Sequence, residues 1–88
     1  MRLVVLYRPQ SEHGRVVEDF IRDLQSRYIF NHLEIMDIDS RDGTATASLY
    51  DIMQYPAILV LQNDGLLQKS WEGGSMPLMD EVAAYATL

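Results

Sequence analysis

The densest run of chemically competent side chains is Arg8-Pro9-Gln10-Ser11-Glu12-His13-Gly14-Arg15. A serine, a carboxylate and an imidazole are the ingredients of acyl transfer, in which the base takes the hydroxyl proton and the acid orients the base. Here the three are sequence neighbours, and a single turn seldom sets them in nucleophile–base–orienter geometry, so no catalytic residue is assigned. The same run has a second capacity. A helix starting there presents free backbone N–H groups, which with Arg8 and Arg15 on either side suit a carboxylate or a phosphate. Against this stands a local reading, with Ser11 as helix N-cap or turn residue and Glu12 and His13 as solvated turn positions. His13 and His32 are far apart and neither has a second ligand at helical spacing, so no metal site is expected. Cysteine is absent from the chain, which removes disulfides, thiolate metal sites and cysteine nucleophiles together.

The elements that must hold these residues follow from periodicity. Leu3 to Tyr7 is a short apolar run rich in β-branched residues and closed by Arg8-Pro9, as expected for a strand buried on both faces. From Arg15 to Tyr28, Val16, Val17, Phe20, Ile21, Leu24 and Tyr28 recur at helical spacing opposite a charged face. Leu33 to Ile38 reads as a second strand, stopped by the turn-forming Asp39-Ser40-Arg41-Asp42-Gly43. Thr44 to Met53, with Ala45, Ala47, Leu49 and Ile52, reads as a second helix that must end before Pro56, whose ring disfavours helical geometry at Tyr55. Ala57 to Leu61 is a dense apolar strand, Asn63-Asp64-Gly65 a hairpin turn, and Leu66 to Glu72 the returning strand. Gly73-Gly74 interrupts the chain. Ser75-Met76-Pro77 then opens a last helix carrying Leu78, Met79, Val82, Ala83, Tyr85 and Ala86, with Asp80 and Glu81 near its positive end.

The resulting order, β-α-β-α-β-β-α, implies one α/β domain over residues 1–88. Its first half requires a right-handed crossover with parallel pairing, and the hairpin requires antiparallel pairing, so the sheet is mixed, with four strands flanked by helices. At 88 residues with 48% apolar and 23% charged residues, the composition is that of an ordinary globular domain. A formal net charge of -6 opposes binding to a phosphate backbone, which draws its affinity from clustered Lys and Arg, and a nucleic-acid partner is rejected. No apolar run reaches the roughly 20 residues of a membrane span, and Leu3 to Tyr7 is too short for a signal-peptide core, so the expected location is cytoplasmic, away from membranes.

This order, with its first strand at the N-terminus, resembles the minimal thioredoxin fold as glutaredoxins use it. Three stretches carry the likeness and together cover nearly the whole chain. Leu6 to Gly14 resembles the strand-to-helix loop in which a Tyr and a Pro precede Cys-x-x-Cys, with Ser11 and Gly14 in the cysteine places; in a register shifted by one, Glu12 and Arg15 take them. Leu49 to Val60 is similar to the segment around the family's cis-proline, which falls on Pro56. Asn63-Asp64-Gly65 through Gly73-Gly74 resembles the terminal hairpin and glycine turn.

Disulfide exchange needs an attacking thiolate and a resolving thiol, and neither register supplies either, so this redox chemistry is excluded by residue type. The resemblance implies a groove built from Arg8, Pro9, Ser11, Glu12, His13, Gly14 and Arg15, from Tyr55-Pro56, and from Gly73-Gly74. Three uses are weighed. The first is a non-catalytic binding or regulatory module for a protein or peptide. The second is a glutathione-dependent, transferase-like enzyme in which Ser11 stabilises the bound thiolate. Glutathione is the one cofactor considered, and Ser75 and Met76 after the glycine pair depart from the acidic residues the family uses there. An oligomeric role is a third use, and the sequence leaves the oligomeric state open. Trp71, Met53, Met76 and Met79 read either as core or as an apolar contact surface.

Overall fold

A computed structural model of the chain describes residues 1–28, 32–74 and 76–86. The elements are β1 (Arg2–Tyr7), α1 (Gly14–Arg27), β2 (Leu33–Asp37), α2 (Arg41–Leu49), β3 (Ala57–Leu61), β4 (Leu67–Glu72) and α3 (Met79–Ala86). They form an α/β structure around a mixed sheet of strand order β2-β1-β3-β4. β1 runs parallel to β2, with Val5 beside Ile35 and Tyr7 beside Asp37, and antiparallel to β3, with Leu6 beside Ala57. β3 and β4 form the hairpin, with Ala57 beside Glu72 and a register shift between Val60 and Leu61.

The two central strands explain their own composition. Every residue from Leu3 to Tyr7 and from Ala57 to Leu61 is buried, because helices cover both faces of the sheet. On one face Leu3, Val5, Tyr7, Ile58 and Val60 meet Val17, Ile21 and Leu24 of α1 and Val82 of α3. On the other, Val4, Leu6, Ala57, Leu59 and Leu61 meet Ile38, Ala47 of α2 and Ile52. Each fully buried Leu, Ile or Val contributes about 1.5–3 kcal/mol relative to exposure, so these two clusters dominate the stability.

Local chemistry moves three boundaries from those read in the sequence. α2 begins at Arg41, not Thr44, because Ser40 caps it: the Ser40 hydroxyl accepts from the Gly43 amide at 3.0 Å while donating to the Asp37 carbonyl at 2.6 Å. A residue larger than glycine at 43 would place its Cβ 2.0 Å from the Asp37 oxygen. α2 then ends at Leu49, and the chain turns through Asp51 at φ +57°, which leaves Leu49 and Met53 exposed instead of packed. α3 begins at Met79, beyond Pro77. The Glu81 carboxylate accepts from the Leu78 amide at 3.4 Å, while Met76 packs on the core, so Met76 to Leu78 lead into the helix without joining it. Ser75 lies outside the described residues. On α1, Val16 is 58% exposed, so the buried stripe starts at Val17.

The hairpin turn follows from its residues. Gly65 adopts φ +91°, the Gln62 amide donates to the Leu66 carbonyl at 2.8 Å, and the Asp64 carboxylate accepts from the Leu66 amide at 3.0 Å. No helix among the described residues is long and apolar enough to cross a membrane.

Candidate functional site

The sheet brings the three expected stretches to one end. β1 leads out of Tyr7 into the Arg8–His13 loop, and Leu6 beside Ala57 puts Pro56 next to that exit. Ala57 beside Glu72 puts Gly73 next to Pro56, where the Gly73 amide donates to the Pro56 carbonyl at 2.8 Å. Gly73, at φ +66°, packs against the Gln54 side chain, and Gly74 follows at φ +59°, a pair of left-handed residues that glycine adopts without a Cβ penalty. The Tyr55–Pro56 peptide bond is cis.

The first loop is a compact turn held by its own groups. The Arg8 carbonyl accepts from both the Ser11 amide at 3.1 Å and the Ser11 hydroxyl at 2.6 Å. The Ser11 carbonyl in turn accepts from the Gly14 amide at 3.1 Å. Ser11 is therefore the turn residue, and His13 takes the N-cap position of α1 with no side-chain cap bond. His13 is not simply solvated: its Nε2 accepts the Arg8 amide proton at 3.0 Å, so this nitrogen carries no hydrogen and is not poised on Ser11. Gly14 is buried against the loop, and a Cβ there would stand 2.2 Å from the Pro9 carbonyl oxygen. The amides of Arg15 and Val16 belong to the first helical turn, where no intrahelical acceptor exists.

Arg8 does not stand free beside this helix end. Its guanidinium forks onto Asp39, Nε to Oδ2 at 2.9 Å and the second nitrogen to Oδ1 at 3.1 Å. The bond to Arg8 holds the Asp39 carboxyl below the usual aspartate range, and the bond to Asp39 raises Arg8 in return. Both groups are exposed, so the pair fixes geometry more than it stabilises the fold. Beneath the loop, Tyr7 donates its hydroxyl to Glu18 at 2.9 Å; desolvation first, and then the Glu18 bond, push its phenol above the ordinary tyrosine value.

The sequence matches no protein-family model and no curated protein. The geometry thus carries the functional reading. Around Pro56, Tyr55 is half-buried against the α2 side of the core and donates its hydroxyl to the Ile52 carbonyl at 3.3 Å. Its main-chain N–H and C=O make no hydrogen bond among the described residues. Next to it, the Glu72 carboxylate accepts from the Met53 amide at 3.2 Å, and the Met53 side chain is 81% exposed.

Asp39, Glu72 and Glu18 were not singled out in the sequence. The parallel register could have found the first, because Tyr7 beside Asp37 puts the residues following each strand side by side. Of the Trp and Met residues considered for a contact surface, Trp71, Met76 and Met79 pack on the core, with Trp71 edge-on to Tyr85 at 5.8 Å; Met53 alone of the four faces outward. Among the described residues no group of His, Cys, Asp and Glu is arranged to hold a metal ion. A separate open concavity of about 430 Å³, lined by Met1, Gln62, Asn63 and Asp64, lies at the opposite end of the sheet.

Proposed function

We propose that the chain is a thioredoxin-like, glutaredoxin-like domain without thiol chemistry, and that it binds a protein or peptide in the groove between the Arg8–Arg15 loop, Tyr55-Pro56 and Gly73-Gly74. The resemblance is supported by the strand order β2-β1-β3-β4, by the helices on both sheet faces, and by the meeting of the three resembling stretches at one end. The observation that carries the binding role is the unpaired main chain of Tyr55. A half-buried residue whose amide and carbonyl both lack partners among the described residues offers an extended segment a donor and an acceptor at once, which is how strand-like peptides gain affinity without side-chain chemistry.

The transferase-like reading draws less support. A hydroxyl has one proton, and Ser11 spends it on the Arg8 carbonyl at 2.6 Å, so donation to a glutathione thiolate requires that bond to break. The two carboxylates of glutathione would also find Arg8 already forked onto Asp39 and Glu72 beside the glycine pair.

Chemical-shift mapping of the labelled chain against a mixed peptide pool tests the proposal. The expected perturbations fall on the amides of Ser11 to Arg15, Tyr55, Gly73 and Gly74. Perturbations confined to Met1 and Gln62 to Asp64 at the far end would defeat it.

A further inference from the structure

Resting on that groove, we infer the chemical class of its occupant: an extended segment carrying Lys or Arg among apolar residues, in place of the anion that the helix end alone suggests.

The cations expected to receive an anion are Arg8 and Arg15. Arg8 is neutralised in place by Asp39, which uses both of its carboxylate oxygens, and the next carboxylate along the chain, Asp37, accepts the Asp39 amide at 2.8 Å. Arg15 remains, together with the first-turn amides of α1. Opposed to them, Glu12 projects from the loop without an ion pair among the described residues. On the other wall, Glu72 stands between Met53 and Gly73 with one oxygen on the Met53 amide. No Lys or Arg faces Glu72 as an ion-pair partner among the described residues. An anion placed against Tyr55 would therefore approach Glu72, whereas a cation there meets that uncompensated carboxylate, in a chain whose net charge is -6.

Apolar surface supplies the rest of the contact. Met53, whose amide is bonded to Glu72, is 81% exposed, and its flexible thioether accommodates varied apolar side chains. An extended segment alternates its side chains, so one can lie on Met53 while the next reaches Glu72.

Selection of a random-peptide display library on the intact chain, followed by NMR titration of the winning sequence, tests the inference. The sequence is made in versions with its cations kept, changed to Gln, and changed to Glu. Selected peptides are expected to be rich in Lys or Arg and apolar residues, and to shift Tyr55 and Gly73. Their affinity should fall from the cationic to the Gln to the Glu version. Glu72→Gln and Glu12→Gln should each weaken the cationic version by about two- to fivefold, the range for exposed charges, and leave the Gln version unchanged. Equal binding of all three versions at the same amides, or selection of acidic peptides, overturns the charge assignment and leaves the groove standing. Selected peptides that shift none of the groove amides overturn the groove reading and this inference with it.

Discussion

Two loops of this chain share a spacing and differ in what they do. Ser11-Glu12-His13-Gly14 follows β1, and Ser40-Arg41-Asp42-Gly43 follows β2. Both serine hydroxyls donate to the carbonyl three residues back at 2.6 Å, and both glycines sit where a Cβ would run into a carbonyl at the end of the strand or just beyond it. In the second loop Ser40 is extended, at ψ 162°, and its hydroxyl also receives the Gly43 amide, closing the end of α2. In the first loop the Gly14 amide is taken by the Ser11 main chain instead, and His13, at ψ -9°, begins α1 with no side-chain cap. One hydroxyl thus finishes a helix, and the other only folds a turn in front of one. The end left without a cap belongs to the loop at the Pro56 and Gly73 end of the sheet, so under the proposed function the difference separates a structural loop from one open to a partner.

Substitutions in the two loops should differ in cost. The largest loss is expected from Gly43→Ala, whose Cβ meets a backbone oxygen at 2.0 Å in a closed cap; urea denaturation should show about 3 kcal/mol of destabilisation. Gly14→Ala meets the Pro9 oxygen at 2.2 Å in a longer loop, and about 2 kcal/mol is expected, with peptide binding weakened because the loop must shift. The serines should then diverge. Ser40→Ala removes a helix cap and should cost about 1 kcal/mol, whereas Ser11→Ala removes one exposed turn bond and should cost about 0.5 kcal/mol. Equal losses for the two serines would mean that the loops are not distinct.

The smallest effect links the loops. Because Arg8 lowers the folded-state pKa of Asp39, the contribution of their pair is present above the ordinary aspartate range and is lost as the pH falls through the depressed value. Asp39→Asn should flatten that part of the acid limb in a stability-versus-pH curve.

How much of this was legible in the sequence depends on the range of the interaction. The β3–β4 hairpin was readable because Ala57 to Leu61 and Asn63-Asp64-Gly65 carry their instructions locally. The start of α2 was not, because Asp, Ser and Gly serve turns and caps alike; what decides is the approach of Gly43 to the Asp37 carbonyl, a tertiary fact. The start of α3 was missed because proline favours a first helical position without compelling it. In the site, the loop and glycine residues could be named by position, but their state could not. Arg8 with Asp39 and Met53 with Glu72 are joined across strands, and no periodicity along the chain encodes that pairing. The pairing of Arg8 with Asp39 was not readable for this reason.

The proposed function turns on the Tyr55 main chain, unpaired among the described residues, and its amide hydrogen exchange tests that role most directly. With a selected peptide bound, exchange at Tyr55 should slow markedly while Gly43, in the capped loop, exchanges as before. Saturating peptide that leaves Tyr55 exchange unchanged would contradict the account.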